Sequence, residues 1–286
     1  MAVLSAAIIT YNRARFLGDA IESVLGQTVG DLELIVVDDG SEDGTAAAVA
    51  PYLDRIRYVR RPHQGRAVAR NTAVELAEGE LIAFCDSDDR WYPDRLERQL
   101  DALDRNPDAG MVHGQVELTD ADGRALHDET AAHRKVFSDA HEGGATYAGY
   151  AGNCRCLSST ILVRRHVFEK IGFYDRTLPI EDYDFYLRLV RNFNVVFLEG
   201  APLAQHRRHA QTTPSEELAF GQIRTAEKHL AFLDEHPELP DARAARRNFN
   251  LMIARSWRVL GDRRRARAAA CRALLLGAPE ALRIAL

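Results

Sequence analysis

The chain has 286 residues, is 46% hydrophobic and 28% charged, and carries a net charge of −5. That is ordinary globular composition, long enough for one large α/β domain with an appendage or for two domains, and the overall acidity argues against a nucleic-acid binder. Four cysteines (Cys85, Cys154, Cys156 and Cys271) make no disulfide framework, and Cys154-Arg-Cys156 lacks the two-residue gap of a zinc knuckle; the thiols read as reduced, in a cytosolic protein. The opening residues 1–9 carry no basic lead and read as too short for a signal peptide or a membrane span, and no other run approaches membrane length.

In chain order, residues 3–9 are apolar and partly β-branched and predict a first strand. Thr10-Tyr-Asn-Arg13 follows as a turn, in which Asn12 suits a helix cap. Phe16, Ala20, Ile21, Val24 and Leu25 recur at helical spacing up to Gly26. Residues 32–37 predict a second strand, which runs into the polar loop Asp38-Asp-Gly-Ser-Glu-Asp-Gly44. A short helix over 46–53, a third strand over 56–59, a third helix over 65–77 and a fourth strand over 81–84 complete a β-α-β-α-β-α-β pattern. That pattern predicts a parallel, doubly wound sheet with right-handed crossovers, so the polar strand ends 10–13, 38–41 and 86–89 lie on one edge.

The fourth strand ends in Asp86, Ser87, Asp88 and Asp89. Residues two apart in an extended segment point the same way, so Asp86 and Asp88 can converge where open α/β sheets bind ligands. Packed carboxylates repel unless a cation compensates, and hard oxygen ligands suit Mg²⁺ or Mn²⁺ bridging to a phosphate. An acidic turn ahead of a helix, with Pro93 near its first position, explains the same residues equally well. No Gly-x-Gly-x-x-Gly follows the first strand and no Gly-x-x-x-x-Gly-Lys-Ser/Thr occurs, which disfavours a dinucleotide dehydrogenase or a P-loop enzyme. On that edge Asp39 can accept from a base NH or a ribose hydroxyl, and Arg13 or Arg66 can offset diphosphate charge.

The segments Ile8-Ile-Thr-Tyr-Asn12, Val36-Val-Asp-Asp-Gly-Ser41, Gly65-Arg-Ala-Val-Ala-Arg-Asn71 and Phe84-Cys-Asp-Ser-Asp-Asp89 resemble, in order and spacing, the motifs of family 2 glycosyltransferases. The resemblance implies a GT-A fold and transfer of a sugar from a nucleotide diphosphate with inversion. It places Thr10, Tyr11 and Asp39 at the nucleoside, Asp86 near the ribose or sugar, and Asp88 on the Mn²⁺ or Mg²⁺ that holds the diphosphate. Taken singly, Asp38-Asp-Gly-Ser41 reads as a helix-capping turn.

After a helix from Pro93 to about Asn106, residues 111–118 predict one strand and Asp120-Ala-Asp-Gly123 a turn. Residues 128–152 are rich in Gly, Ala and His and read as an irregular, acceptor-facing loop, with His127, His133 and His141 as exposed loop histidines in or beside it. A strand is expected over 158–163 and a helix over 164–171. The next helix carries Glu181, Asp182 and Asp184 in its first turn. Acids at a helix start complement its dipole. The segment Gly172-Phe-Tyr-Asp175 through Glu181-Asp-Tyr-Asp-Phe-Tyr-Leu-Arg188 also resembles the family's acidic motif, which makes Asp182 the catalytic base with Glu181 beside it. Short strands over 195–198 and 202–205 lead into the basic stretch His206-Arg-Arg-His-Ala-Gln-Thr-Thr213. The family's Arg/His segment closes over the diphosphate, and His209 matches the histidine that reaches the metal, although Ala210-Gln211 departs from the family's Gly-Ser. An ordinary exposed basic loop is the other reading.

From Ser215 the pattern is helical, with helices over 215–235, 243–260 and 263–276 and Ser215-Glu-Glu-Leu218 as the first cap. Residues 241–286 hold eleven arginines against three acids, a net of +8 on an acidic protein. This suits peripheral contact with an anionic membrane or an acidic partner, and equally a solvated helix face.

The fold expected is α/β: a GT-A-type mixed, mostly parallel sheet flanked by helices, Rossmann-like in its N-terminal half, with a C-terminal helical appendage. Residues 1–213 form the transferase domain, with 1–110 binding the nucleotide sugar and 111–213 the acceptor, and 214–286 the helical region. The function expected is an inverting, Mn²⁺- or Mg²⁺-dependent transferase using a UDP- or dTDP-sugar and a glycan, lipid-linked or small hydroxyl acceptor. It binds no nucleic acid, is cytoplasmic with room for membrane association, and admits a homodimer. The alternatives are a nucleotidyltransferase that makes the nucleotide sugar, which would want a glycine-rich first loop, and a non-catalytic sugar-nucleotide-binding module.

Overall fold

The computed structural model describes residues 4–141, 145–152, 156–210 and 212–285; Val3, Cys154 and Gln211 lie outside them. The chain divides into two compact units that interleave in sequence. One comprises Met1–Asp139, Cys156–Tyr174 and Asn192–Ala210, the other Ala140–Arg155, Asp175–Arg191 and Gln211–Leu286.

The first unit holds β1 (Leu4–Thr10), α1 (Ala14–Leu25), β2 (Leu32–Asp38), α2 (Thr45–Val49), β3 (Arg57–Arg60), α3 (Arg66–Leu76), β4 (Leu81–Asp86), β5 (Arg90–Trp91), α4 (Arg95–Arg105), β6 (Ala109–Gly114) and β7 (Val116–Thr119). The elements that follow are α5 (His127–His141), α6 (Tyr147–Ala151), β8 (Leu162–Arg164), α7 (Arg165–Ile171), α8 (Glu181–Val190), β9 (Asn194–Leu198), β10 (Ala204–Arg207), α9 (Ser215–Glu235), α10 (Ala242–Val259), α11 (Arg263–Leu275) and α12 (Leu282–Ala285). A seven-stranded sheet runs β3-β2-β1-β4-β8-β6-β9, and a three-stranded sheet runs β5-β10-β7. Strands β3, β2, β1 and β4 are parallel, β8 is antiparallel to β4 and β6, and β9 is parallel to β6. Strand β1 is buried almost throughout and so reads as a continuous apolar run rather than an alternation. Helix α1 covers the sheet with Phe16, Leu17, Ala20, Ile21 and Val24, the stripe its periodicity predicts. Thr10 pairs with Asp38 and Ile9 with Asp86, so the polar ends of β1, β2 and β4 stand side by side as expected.

Several local expectations are corrected. Asn12 is not the cap of α1; it sits at φ +52°, its Oδ1 accepts from the Glu42 amide at 2.8 Å, and its own amide donates to Ser41 Oγ at 2.9 Å. Its polar atoms are taken by the β2 loop, and Arg13 occupies the cap position. Pro93 lies outside α4, which follows Asp94. The single strand expected over 111–118 is two strands in different sheets, broken at Gln115; at Gly114 a side chain would meet Leu203 and the Leu198 carbonyl, so the chain can turn there only on a glycine. The loop expected over 128–152 contains α5 and α6, the latter capped by Thr146, whose Oγ1 accepts from the Gly149 amide at 3.0 Å. Its Ala/Gly-rich composition leaves too weak an apolar period to reveal these helices. His127 is exposed, but His133 is half-buried on α5, and burial, together with the positive charges of His206 and Arg208, pulls its pKa down to about 4. The strand expected over 158–163 starts later, after a 3₁₀ turn at Ser158–Thr160, because Ser159 is committed to other partners (below). Ser215 is the first residue of α9, with Pro214 at the cap position.

The second unit is helical. Helix α8 buries Tyr183, Phe185 and Tyr186, and the Tyr183 hydroxyl donates to the Tyr150 carbonyl at 2.7 Å. Gly221 on α9 lets that helix lie against Ile180, where a Cβ would collide. Asp184 is fully buried and accepts from Arg188 Nε at 2.8 Å, Lys228 Nζ at 2.8 Å and His229 Nε2 at 3.1 Å. Burial alone would raise the pKa of that carboxyl, but these three donors hold it well below its usual value. Helices α10 and α11 form a hairpin around Gly261 at φ +79°, with Asp262 capping α11 through the Arg265 amide at 2.9 Å. Ala266, Ala269, Ala270 and Ala273 are its buried face.

Candidate active site

Strand β4 delivers Asp86, Ser87, Asp88 and Asp89 to the carboxyl edge, and each acid there has a different setting. Asp86 Oδ1 accepts from Arg70 Nη2 at 2.9 Å. Arg70 is buried, with its guanidinium 5.4 Å from the Phe84 ring and 5.8 Å from the Tyr174 ring. Burial raises the pKa of Asp86 more than Arg70 lowers it. Asp88 Oδ2 accepts from His209 Nε2 at 2.9 Å and from Arg13 Nε at 3.3 Å. Burial would raise its pKa, but the His209 hydrogen bond and the Arg13 charge outweigh that, and it lies below its ordinary value. Asp89 is buried and structural: Oδ2 accepts from Ser159 Oγ at 2.6 Å, and Oδ1 accepts from the Arg207 amide at 3.0 Å. Ser159 also accepts from the Asp86 amide at 2.9 Å, so one hydroxyl joins both acids. Burial would lower the pKa of His206, 3.2 Å from Asp89, but the negative charge of Asp89 raises it to about 9.

The β1 and β2 ends form the neighbouring part. Thr10 is buried at the end of β1, and its Oγ1 has no hydrogen-bond partner among the described residues. Tyr11 is 39% exposed, and its ring stacks on His63 at 4.0 Å and 15°. Asp38 is structural, accepting from the Ser41 amide at 2.8 Å and the Tyr58 hydroxyl at 2.7 Å. Asp39 is buried and accepts from the Gly65 amide at 2.8 Å and the Gln64 amide at 3.1 Å, with His63 Nδ1 2.8 Å from Oδ2. It therefore fixes the loop ahead of α3 and the histidine that stacks on Tyr11. Arg66 is exposed at the first position of α3.

Thus Thr10, Tyr11, Arg13, Asp39, Asp86, Asp88 and His209 gather on the edge formed by β1, β2 and β4 with the chain after β10. Asp182 belongs to the second unit, in the acidic first turn of α8 beside buried Glu181. Sequence reasoning missed Arg70, His63 and Ser159. Arg70 stands one turn beyond Arg66 in a quoted motif, and the signal available was that residues four apart share a helix face. His63 and Ser159 had no motif to mark them.

A mixed, mostly parallel sheet with flanking helices and this acidic carboxyl edge defines a GT-A-type protein. The profile described as "Glycosyl transferase family 2" matches residues 5–172. An uncharacterized glycosyltransferase of Nostoc sp. is 32% identical over 174 residues, 59% of this chain and 52% of its own, so the matched part spans about half of that relative. The Escherichia coli protein named UDP-Glc:alpha-D-GlcNAc-diphosphoundecaprenol beta-1,3-glucosyltransferase WfgD is 29% identical over 208 residues, covering 72% of this chain and 77% of its own. Among solved structures, the mannosyltransferase PcManGT from Pyrobaculum calidifontis, in complex with GDP-Man and Mn²⁺, superposes with a TM-score of 0.66 over 99% of this chain and 78% of its own, at 19% identity. The chain belongs to glycosyl transferase family 2.

Proposed function

We propose that this protein is an inverting, divalent-cation-dependent glycosyltransferase that moves a sugar from a UDP- or dTDP-sugar to a hydroxyl acceptor. The observation that carries the reading is the pair Asp88, just past the end of β4, and His209, just past β10, 2.9 Å apart, with Arg13 also on Asp88. Among the described residues no three His, Cys, Asp or Glu side chains make a metal cage of their own. A carboxylate and an imidazole on one side fit Mn²⁺ or Mg²⁺ that completes its shell with substrate phosphate. When bound, the ion would be held by Asp88 and His209 and would offset the charge of the leaving diphosphate.

The remaining roles fall to the chain. Tyr11 on His63 offers a flat face to the base, and Thr10 Oγ1 offers a donor or acceptor beside it. Asp39 holds the 63–65 loop in place and is the group proposed for the base or ribose. Arg13 and Arg66 are assigned to offset the charge of the diphosphate. Asp86, oriented by Arg70, is assigned to the ribose or sugar. Asp182 takes the acceptor's proton as the hydroxyl oxygen forms its bond to the anomeric carbon, and the bond to the diphosphate breaks with its electron pair leaving on phosphate oxygen. The name of the E. coli relative supports a UDP-sugar donor and a lipid-linked acceptor.

The test is a thermal-shift panel of UDP-, dTDP-, GDP- and CDP-sugars with and without Mn²⁺. A rise in melting temperature for uracil- or thymine-based donors that grows with Mn²⁺ is expected; no shift with any donor, or shifts indifferent to the metal, would refute the reading. Asp39→Ala is expected to weaken binding of the free nucleoside diphosphate in metal-free titration by about 1–3 kcal/mol, because a buried hydrogen-bonded group is lost. Unchanged affinity would reduce Asp39 to a turn residue.

A further inference from the structure

The turn between α10 and α11 concentrates positive charge. Residues 255–267 read Arg-Ser-Trp-Arg-Val-Leu-Gly-Asp-Arg-Arg-Arg-Ala-Arg, six arginines against the single acid Asp262. Arg255, Arg258, Arg263 and Arg264 are exposed, and none of the four makes an ion pair among the described residues. Arg265 lies 3.5 Å from Asp262 and is stacked 4.5 Å from the Trp257 ring. Self-repulsion among uncompensated arginines costs stability, and is relieved when the surface meets an anionic one.

The same tip is also apolar. Val259 is 52% exposed and Trp257 is half-buried beside it. Along α11, Arg264, Ala268, Cys271 and Leu275 are all exposed and are spaced four, three and four, so they form one outward stripe opposite the buried alanines. Leu275 is 83% exposed, the most exposed of the chain's large apolar side chains among the described residues. Arg267 and Arg272 flank the stripe. A stripe of Ala268, Cys271 and Leu275 headed by Arg264 and flanked by Arg267 and Arg272, with Trp257 at the nearby turn, is the pattern of a helix lying in a membrane interface, where the guanidinium groups reach lipid phosphates and the apolar groups enter the acyl boundary. A purely acidic protein partner would be met by the arginines and would leave Val259 and Leu275 unused.

We propose that the α10–α11 tip and the outer face of α11 dock this protein on an anionic lipid surface. This assignment stands apart from the reaction proposed above, since it rests on a different part of the molecule. The test uses the full chain and vesicles of phosphatidylcholine alone or mixed with phosphatidylglycerol. Co-sedimentation is expected with the mixed vesicles only, and is expected to fall as salt is raised toward 0.5 M, a concentration at which the screening length is only roughly 4 Å. Tryptophan emission should shift to the blue on adding mixed vesicles, because Trp257 is at the tip while Trp91, the other tryptophan, is 4% exposed and unaffected.

The triple variant Arg258→Gln, Arg263→Gln, Arg264→Gln is expected to lose binding on the order of 100-fold, at about fivefold per arginine. Leu275→Ser is expected to lose about tenfold. Leu275 and these arginines are exposed, and unaltered circular dichroism would verify that each variant folds. Equal binding to both vesicle types, undiminished binding in both variants, or binding to polyaspartate with none to vesicles would overturn the assignment, the last reassigning the surface to an acidic macromolecule.

Discussion

Replacing Asp182 by Asn is expected to leave donor affinity unchanged and to reduce transfer to a hydroxyl acceptor by on the order of 10² to 10⁴, the usual loss for a general base. The amide keeps the size of the carboxylate and cannot take a proton. Its neighbours show why Asp182 is the acid to change. Asp184, in the same turn, is buried and already accepts from Arg188, Lys228 and His229, which makes it a structural carboxylate. Glu181 is buried as well. Titration of the nucleoside diphosphate checks binding, and release of labelled product with the true acceptor checks turnover. Donor hydrolysis can serve until that acceptor is in hand, although water needs a base less than a sugar hydroxyl does. Wild-type transfer by Asp182→Asn would reduce Asp182 to an acid that complements a helix dipole, and the same amide substitution at Glu181 would come next.

Replacing Asp88 by Ala is expected to abolish the Mn²⁺-dependent part of donor binding while the protein stays folded. Asp88 is partly exposed at a strand end, and its partner Arg13 is a partly exposed cation that water can solvate once the carboxylate is gone. The metal would lose a hard oxygen ligand and keep only the imidazole. Calorimetric titration of a nucleoside diphosphate, with and without Mn²⁺, separates the two contributions. Wild-type metal dependence in a folded Asp88→Ala protein would remove Asp88 from the metal site. Asp89→Ala makes a useful contrast. That carboxylate ties Ser159 and the Arg207 amide to the β4 end, and its loss should lower the melting temperature rather than act on the metal alone.

The parallel half of the large sheet was legible in the sequence because β1, β2 and β4 are largely buried apolar runs, and α1 carries a clear apolar stripe. Family membership was legible in four motifs at the ends of these elements. What stayed hidden was decided by tertiary partners. Asn12 has the residue type of a cap, and only the approach of the β2 loop makes its amide side chain a link instead. Met111, Val112, Val116 and Leu118 lie on both sides of Gly114 like one continuous strand, so nothing local shows that Gly114 lets the chain leave one sheet and enter another. Helix α5 is mostly charged and small residues, with Val136 and Phe137 its only large apolar ones, and α6 has only five residues, so neither reveals a period. In the site, the acids were legible by type, but not which of them is free to meet a substrate. Asp89 looks like Asp88 in sequence, and only its burial and its bonds to Ser159 and the Arg207 amide mark it as structural.

The interleaving of the two units bears on how the chain can be cut. The tail is helical and follows the last strand, which invites a shortened protein ending near residue 213. Yet α8 packs on α6 and α9, α6 packs on α10, and His229 and Lys228 of α9 are donors to the buried Asp184. Such a truncation would take α9 away from α8 and leave the buried Asp184 carboxylate short of two of its three donors. It should yield an aggregating, protease-sensitive product rather than a minimal enzyme. By the same logic, swapping tails between relatives would succeed only if α6 and α8 travelled with them, so three separated stretches of this gene are bound to change together.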